Sequence, residues 1–284
     1  MRFTIIVPLR LLPGAGRDRR RLYRLMRALP ENVEAVVVDD TPCMATRSDI
    51  AALLSRFPRA RHLESQATSG DAFAIGRLRD LGAAAAPDGA IMFHDVDFIA
   101  PTATYRRLAT FAAAFFEREG RNAFFCAPVA FLTPLGTASL RTAPGRVWRR
   151  LVASGSRAPA ALADRVVLGS SAIAIRREAL LDSGGHCGQF SGHGAEDFEL
   201  MHRLSARYPQ GGRPQDYLTD FGSRLAAERG FRAYFARYAR APLAEGLMLA
   251  HQWHPPRRAD PRYHAARDRN FARLREAMRS GPAG

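Results

Sequence analysis

The chain has 284 residues, 47% of them apolar, enough for the core of one sizeable α/β domain with an extension. No stretch approaches an uncharged apolar membrane span, and the N-terminal apolar run is too short for a secretion signal, so a soluble, cytoplasmic protein is expected. The net charge is +15, but all 42 cations are arginine, a bias that reads as a surface written by a GC-rich genome and sets nucleic acid aside as the partner.

Three scattered cysteines, Cys43, Cys126 and Cys187, lack metal-ligand spacing and read as free thiols in a reducing compartment.

In chain order, FTIIVPL (3–9) reads as a strand. An amphipathic helix follows near 17–29, with Leu22, Leu25, Met26 and Leu29 as its apolar face. Its arginines form either a solvated face or one drawn to anionic lipid or an anionic polymer. EAVVVDD (34–40) is a second strand, apolar on both faces as in a covered parallel sheet. A helix over 48–57 with Ser48 as N-cap, a short strand at 60–65 and a helix over 71–86 lead to the strand AIMFHDVD (90–97). Strands alternating with helices predict βαβ units and a mostly parallel sheet.

A helix over 101–120 and a strand over 122–132 follow. Residues 133–164, with several Gly, Pro and Ser, are expected to be mobile or inserted. Beyond them are a strand pair and short helix (166–185), a helix (194–208), an arginine-rich amphipathic segment (215–240), the strand EGLMLAHQWH (245–254) and a helix near 262–279.

Three places invite chemistry. In FHDVDFIAP (93–101), Asp95 and Asp97 flank a valine at a strand end. On a straight strand both carboxylates share a face, about 6.6 Å apart, too far to share one Mg²⁺ or Mn²⁺ easily. The spacing suggests Asp97 on a metal and Asp95 on a ribose hydroxyl or metal-bound water, though a strand simply running into solvent fits the pair alone. In FSGHGAEDFEL (190–200), Glu196 and Asp197 open a helix, where acidic residues also suit the dipole. The glycines before them suggest backbone close to a ligand, and a carboxylate there would serve as a general base. In AHQWHPP (250–256), His251 and His254 would point to opposite faces of a strand, so that only one reaches an ion unless the chain turns before Pro255.

Taken together, IIVPLR, VVVDD, GRLRDLG, FHDVDFIAP, GGHCGQFSGHGAEDFEL and AHQWH occur in the order expected of nucleotide-sugar glycosyltransferases with the GT-A fold. The chain resembles the bacterial family-2-type enzymes of capsular and other surface polysaccharide synthesis. Its GHGAED segment is similar to the GWGGED-type motif of galactosyl- and N-acetylgalactosaminyltransferases. The matches span about residues 3 to 256.

The resemblance implies a GT-A domain over 1–256, with a nucleotide-binding half (1–100) and an acceptor-binding half (101–256), and a helical tail over 257–284. It implies Pro8, Arg10, Asp39, Asp40, Arg79 and Asp95 on the nucleotide-sugar donor. Asp97, with His251 or His254, would hold Mn²⁺ or Mg²⁺. Asp197 would be the base, and Glu196 and His193 would seat a glycan or lipid-linked glycan acceptor. The implied activity is inverting transfer from a UDP-sugar, at the inner face of the membrane. A retaining transferase, a nucleotidyltransferase and a non-catalytic glycan- or nucleic-acid-binding module are the alternatives. His193 stands where relatives often place tryptophan, and Asp80 replaces the asparagine of the family's ARNxG pattern.

Overall fold

The structure, a computed structural model, describes residues 1–11, 16–65, 73–157, 159–192, 194–222, 229–255 and 266–281. The chain opens with β1 (Phe3–Leu9), α1 (Gly16–Ala28), β2 (Val33–Asp39), α2 (Met44–Leu54), β3 (Ala60–Glu64), α3 (Ile75–Ala85) and β4 (Ala90–Phe93). Strands β3, β2, β1 and β4 lie side by side in that order, all parallel. Every residue of β1 is buried because both faces of the sheet are covered. Ile5 and Val7 pack with Leu22, Leu25 and Met26 of α1, while Ile6 joins Val38 and Leu78 on the opposite face.

Next come β5 (Phe98–Ile99), α4 (Thr102–Glu119), β6 (Phe124–Cys126) and β7 (Val129–Leu132). The single strand expected over 122–132 is thus two, broken at Ala127 and Pro128, where the chain passes from the first sheet to a second. Proline cannot donate to a ladder, which favours the crossing there. The stretch expected to be mobile or inserted forms α5 (Pro134–Thr142), α6 (Pro144–Ser154) and β8 (Ala163–Val167). Both helices start on proline at a position where a missing N–H costs nothing, and Val147, Trp148 and Leu151 of α6 are buried.

β9 (Ile173–Arg176) returns antiparallel to β4, with β6 antiparallel on its far side, completing a six-stranded sheet. α7 (Arg177–Asp182) ends in Gly184 and Gly185, both in the left-handed region at φ 82° and 65°. Beyond it lie α8 (Glu196–Arg207), α9 (Gly230–Ala236), α10 (Arg240–Ala244), β10 (Leu249–His251) and α11 (Arg267–Ser280). The second sheet runs β5-β10-β7-β8. Leu274 and Met278 of α11 share a buried cluster with Leu200 and Leu204 of α8, so the C-terminal helix is part of the core.

Helix α2 corrects the expected cap: it begins after Cys43, and Ser48 lies inside it. Residues 71–72, 223–228 and 262–265 of the expected helical segments lie outside the described residues. Among the described residues no helix is long and apolar enough to cross a membrane.

Candidate active site

The sheet reverses its order of growth between β1 and β4, and there the segments at the carboxyl ends of both strands line a cleft of about 450 Å³. A switch point at the carboxyl ends of parallel strands is where open α/β sheets collect ligands. Pro8, Leu9 and Arg10 come from the first segment, and Asp95, Val96, Asp97 and Phe98 from the second.

Here the structure corrects the strand geometry expected of the two aspartates. β4 ends at Phe93, and the Phe98 amide closes a turn onto the Asp95 carbonyl at 3.0 Å. His94 is fully buried, with Nε2 3.0 Å from the Tyr105 hydroxyl, and burial pushes its pKa down to about 4. Val96 packs into the core. On the turn the carboxylates diverge to separate partners instead of sharing a strand face. Asp95 meets Arg79 and Ser171, while Asp97 meets two histidines.

Those histidines both reach the same carboxylate, because the chain does turn before Pro255. Nε2 of His251 is 3.4 Å, and Nε2 of His254 3.2 Å, from Oδ2 of Asp97. Only His251 lies on β10; the next three residues bend back. Arg21, itself buried on α1, donates to the Gln252 and Trp253 carbonyls at 3.3 and 2.9 Å. The Trp253 amide donates to Thr137 of α5 at 2.8 Å, so the segment expected to be mobile helps make the bend. His254 Nδ1 lies 2.8 Å from the Pro255 carbonyl, which fixes that nitrogen as the donor and frees Nε2. His251 stacks on Phe131, centroids 4.5 Å apart. One potential ligand atom from each of Asp97, His251 and His254 lies within 4.8 Å of the others.

That donor set fits a divalent ion. One carboxylate and two imidazoles suit Mn²⁺ better than Mg²⁺, which prefers oxygen ligands. Without an ion, burial would raise the Asp97 pKa, but the facing His251 and His254 hold it well below the usual carboxylate range.

The other half of the cleft centres on Arg79 of α3, which is 1% exposed. Its Nη2 donates to Asp95 at 2.9 Å and its Nη1 to Asp197 at 2.5 Å, with Glu196 3.9 Å away. Burial works against this charge, yet Asp197, Asp95 and Glu196 outweigh it and keep the guanidinium firmly protonated. The two residues opening α8 are split by their surroundings. Burial and the Asp197 charge push Glu196 up to about 7, whereas Arg79 and His186 overcome burial and hold Asp197 below its ordinary value. Ahead of them Ala195 is at φ 77°, the sole non-glycine residue with positive φ among those described. Left-handed alanine costs about 1–2 kcal/mol, a local strain of the kind that clusters at functional sites. Asn270 of α11, 1% exposed, donates to the Ser191 and Gly194 carbonyls at 3.0 and 3.1 Å and so holds this loop.

Of the expected donor residues, the cleft brings together Pro8, Arg10, Arg79 and Asp95. Arg10 donates through Nε to Asp40 at 2.8 Å, and Asp40 also accepts from Ser65. Asp39 is fully buried, accepts from the Thr41 amide at 2.9 Å and faces His62 at 3.1 Å. Neither Asp39 nor Asp40 lines the cleft, since both are engaged in bracing the ends of β1 and β2. His193 lies outside the described residues. Sequence reasoning missed Ser171, Asn270, Phe131 and the pair of half-buried Asp80 with buried His186, whose Nδ1 is 2.7 Å from Asp80. Only Asp80, out of place against its pattern, gave a signal.

The family model described as glycosyltransferase like family 2 matches residues 4–280. No curated protein matches the chain. Among solved structures, S. aureus TarS 1-349 in complex with UDP is similar at 16% identity and a TM-score of 0.43, over 72% of this chain and 55% of that one. A structure of S. aureus TarS 1-349 is similar at 13% identity and a TM-score of 0.41, over 99% and 91%. The mannosyltransferase PcManGT from Pyrobaculum calidifontis, in complex with GDP-Man and Mn²⁺, is similar at 17% identity and a TM-score of 0.43, over 85% and 69%.

Proposed function

From the premise that the chain belongs to the glycosyltransferase like family 2, and is a glycosyltransferase with the GT-A fold, we propose a metal-dependent inverting enzyme. It transfers a sugar from a UDP-sugar to a hydroxyl of a glycan or lipid-linked glycan, in the synthesis of a capsular or other surface polysaccharide. The observation that carries this reading is the single buried guanidinium of Arg79, which joins Asp95 below the turn after β4 to Asp197 at the start of α8. A donor-side and an acceptor-side carboxylate are thereby fixed across one cleft.

In this reading Asp97, His251 and His254 hold Mn²⁺, which when bound neutralises the charge of the departing diphosphate. Pro8 and Arg10 flank the nucleotide, and Asp95, oriented by Arg79 and Ser171, accepts from a donor hydroxyl. Asp197 takes the proton of the acceptor hydroxyl as its oxygen bonds to the anomeric carbon. The bond from that carbon to the phosphate oxygen breaks with its electron pair on the leaving UDP. Asp197 acts as a base already ionised at neutral pH, so the proton moves as the new bond forms. Glu196 and His193 seat the acceptor sugar. The exposed arginines of α1, Arg17, Arg19, Arg20 and Arg27, face an anionic membrane surface.

The test is a panel of nucleotide sugars screened with Mn²⁺ for thermal stabilisation and then for UDP release, with the product anomer read by NMR. Asp197→Asn should cut transfer at least a hundredfold while UDP still binds. Retained turnover in that variant, or a product of retained configuration, would overturn the assignment of the base.

A further inference from the structure

Beneath the Asp197 carboxylate lies an imidazole that the reaction above does not use. His186 follows the double glycine after α7, and its side chain is 1% exposed. Asp80, one position after Arg79 on α3, accepts from the His186 backbone amide at 2.8 Å through Oδ2 and faces Nδ1 at 2.7 Å through Oδ1. The ring packs against Phe93, centroids 5.0 Å apart.

Two glycines make this arrangement possible. A Cβ on Gly76 would come within 2.9 Å of the His186 Cβ, and one on Gly185 within 2.7 Å of Asp80 Oδ2. Neither position tolerates even a methyl group without displacing the pair. The backbone is therefore cut to fit a buried histidine against a half-buried aspartate.

Asp80 occupies Nδ1 and leaves Nε2 buried without a hydrogen-bond partner among the described residues. The group it faces is Oδ1 of Asp197, 3.8 Å away. That gap is longer than a hydrogen bond and short enough for strong charge coupling in a buried site. The charged groups around the ring are Asp80 and Arg79 from α3, and Asp197 and Glu196 from α8. Burial opposes a charged ring, but the two aspartates outweigh it and raise the His186 pKa.

We propose that His186 is a positioning residue for Asp197: anchored through Nδ1 by Asp80, it points an N–H at the carboxylate from below, keeping Asp197 ionised and turned toward the acceptor hydroxyl. The proposal rests on the reading of Asp197 as the base, but the coupling between the two residues stands or falls by itself. An imidazolium this close favours the carboxylate form, as a nearby opposite charge does generally. The pair would thus do from beneath what Arg79 does from the side.

The test reads the imidazole directly. Proton–nitrogen NMR of the full-length protein would follow the His186 ring through a pH titration in wild type and in Asp197→Asn, with UDP binding and the melting temperature as folding controls. We expect the ring's titration midpoint to fall by about one pH unit when the Asp197 charge is removed. An unmoved midpoint would overturn the proposal. Should Asp197→Asn fail to fold, Glu substituted at the same position moves the carboxylate without deleting it, and a displaced midpoint is again required.

A second arm uses turnover. In His186→Gln and in Asp80→Asn the acid limb of the kcat/KM profile should move to higher pH by up to about one unit, with donor KM unchanged. A lower kcat with no shift of the limb in either variant would mean that the pair only packs. If the NMR coupling is present while Asp197→Asn retains transfer, the base assignment fails and the coupling survives.

Discussion

Asp95 and Asp197 sit on the two amino groups of one buried guanidinium, at 2.9 and 2.5 Å from Arg79. The residues come from the turn after β4 and the first turn of α8, and β4 and α8 also share a buried cluster through Phe93, Leu200 and Met201. Removing the cation leaves Asp95, Asp197 and Glu196 as neighbouring carboxylates in a buried site. Arg79→Ala should therefore cost about 3–5 kcal/mol at neutral pH, the usual penalty for stripping one partner from a buried ion cluster. The loss should shrink toward pH 5 as the carboxylates take up protons. Urea melts at the two pH values would check this, and an equal loss at both would argue against the electrostatic account.

Metal binding should depend on all three of Asp97, His251 and His254. Asp97→Asn, His251→Ala and His254→Ala are each expected to weaken Mn²⁺ binding by about 10-fold or more, with the sheet intact by circular dichroism. Titration calorimetry with Mn²⁺ decides it. Thr137→Val provides a subtler check, since it releases the Trp253 amide that helps turn His254 back toward Asp97. Affinity unchanged in that variant would mean that the bend holds without α5.

Glu196 makes a prediction about stability against pH. Its pKa rises from 4.5 to about 7 on folding, because burial and the Asp197 charge disfavour the ionised form. For an acid shifted upward, folding binds a proton between those values, so stability is full below the unfolded pKa and falls as pH rises through the folded one. Glu196→Gln, which cannot ionise, should match wild type near pH 4.5 and exceed it by about 1–3 kcal/mol at pH 8. Melting temperatures across that range give the answer; a variant less stable than wild type at pH 8 contradicts it.

Asn270 ties α11 to the loop before Glu196. Asn270→Ala should destabilise the protein by about 1–3 kcal/mol, since it removes two hydrogen bonds to the half-buried Ser191 and Gly194 carbonyls. It should also slow transfer while UDP affinity is unchanged, because the loop it holds precedes Glu196 and Asp197. A variant with normal turnover would separate the helix from the chemistry.

Much of the fold was legible because its signals are local. β1, β2 and α1 announce themselves by apolar period, and Leu22, Leu25, Met26 and Leu29 are all buried as that period implies. The break at Pro128 and the helices after Thr133 were less visible, because Gly, Pro and Ser mark helix starts as readily as loops. At the site, residue types were readable and their directions were not. Asp95 and Asp97 diverge because β4 stops at Phe93, and His254 reaches Asp97 because Arg21 and Thr137 hold a bend far from it in sequence. His186 lies within the GGHCGQFSGHGAEDFEL stretch, but nothing in that pattern gave it a role. Its meaning comes from Asp80 and from two glycines on different elements, a relation that exists only in three dimensions.

The reach of Asn270 into the loop before Glu196 also sets an order of events during synthesis. Every strand of the parallel sheet leaves the ribosome well before residue 270 does, and so do the loop and the carboxylates it steadies. A nascent chain short of that helix lacks both hydrogen bonds to the loop before Glu196, so this tether forms only after residue 270 has been made.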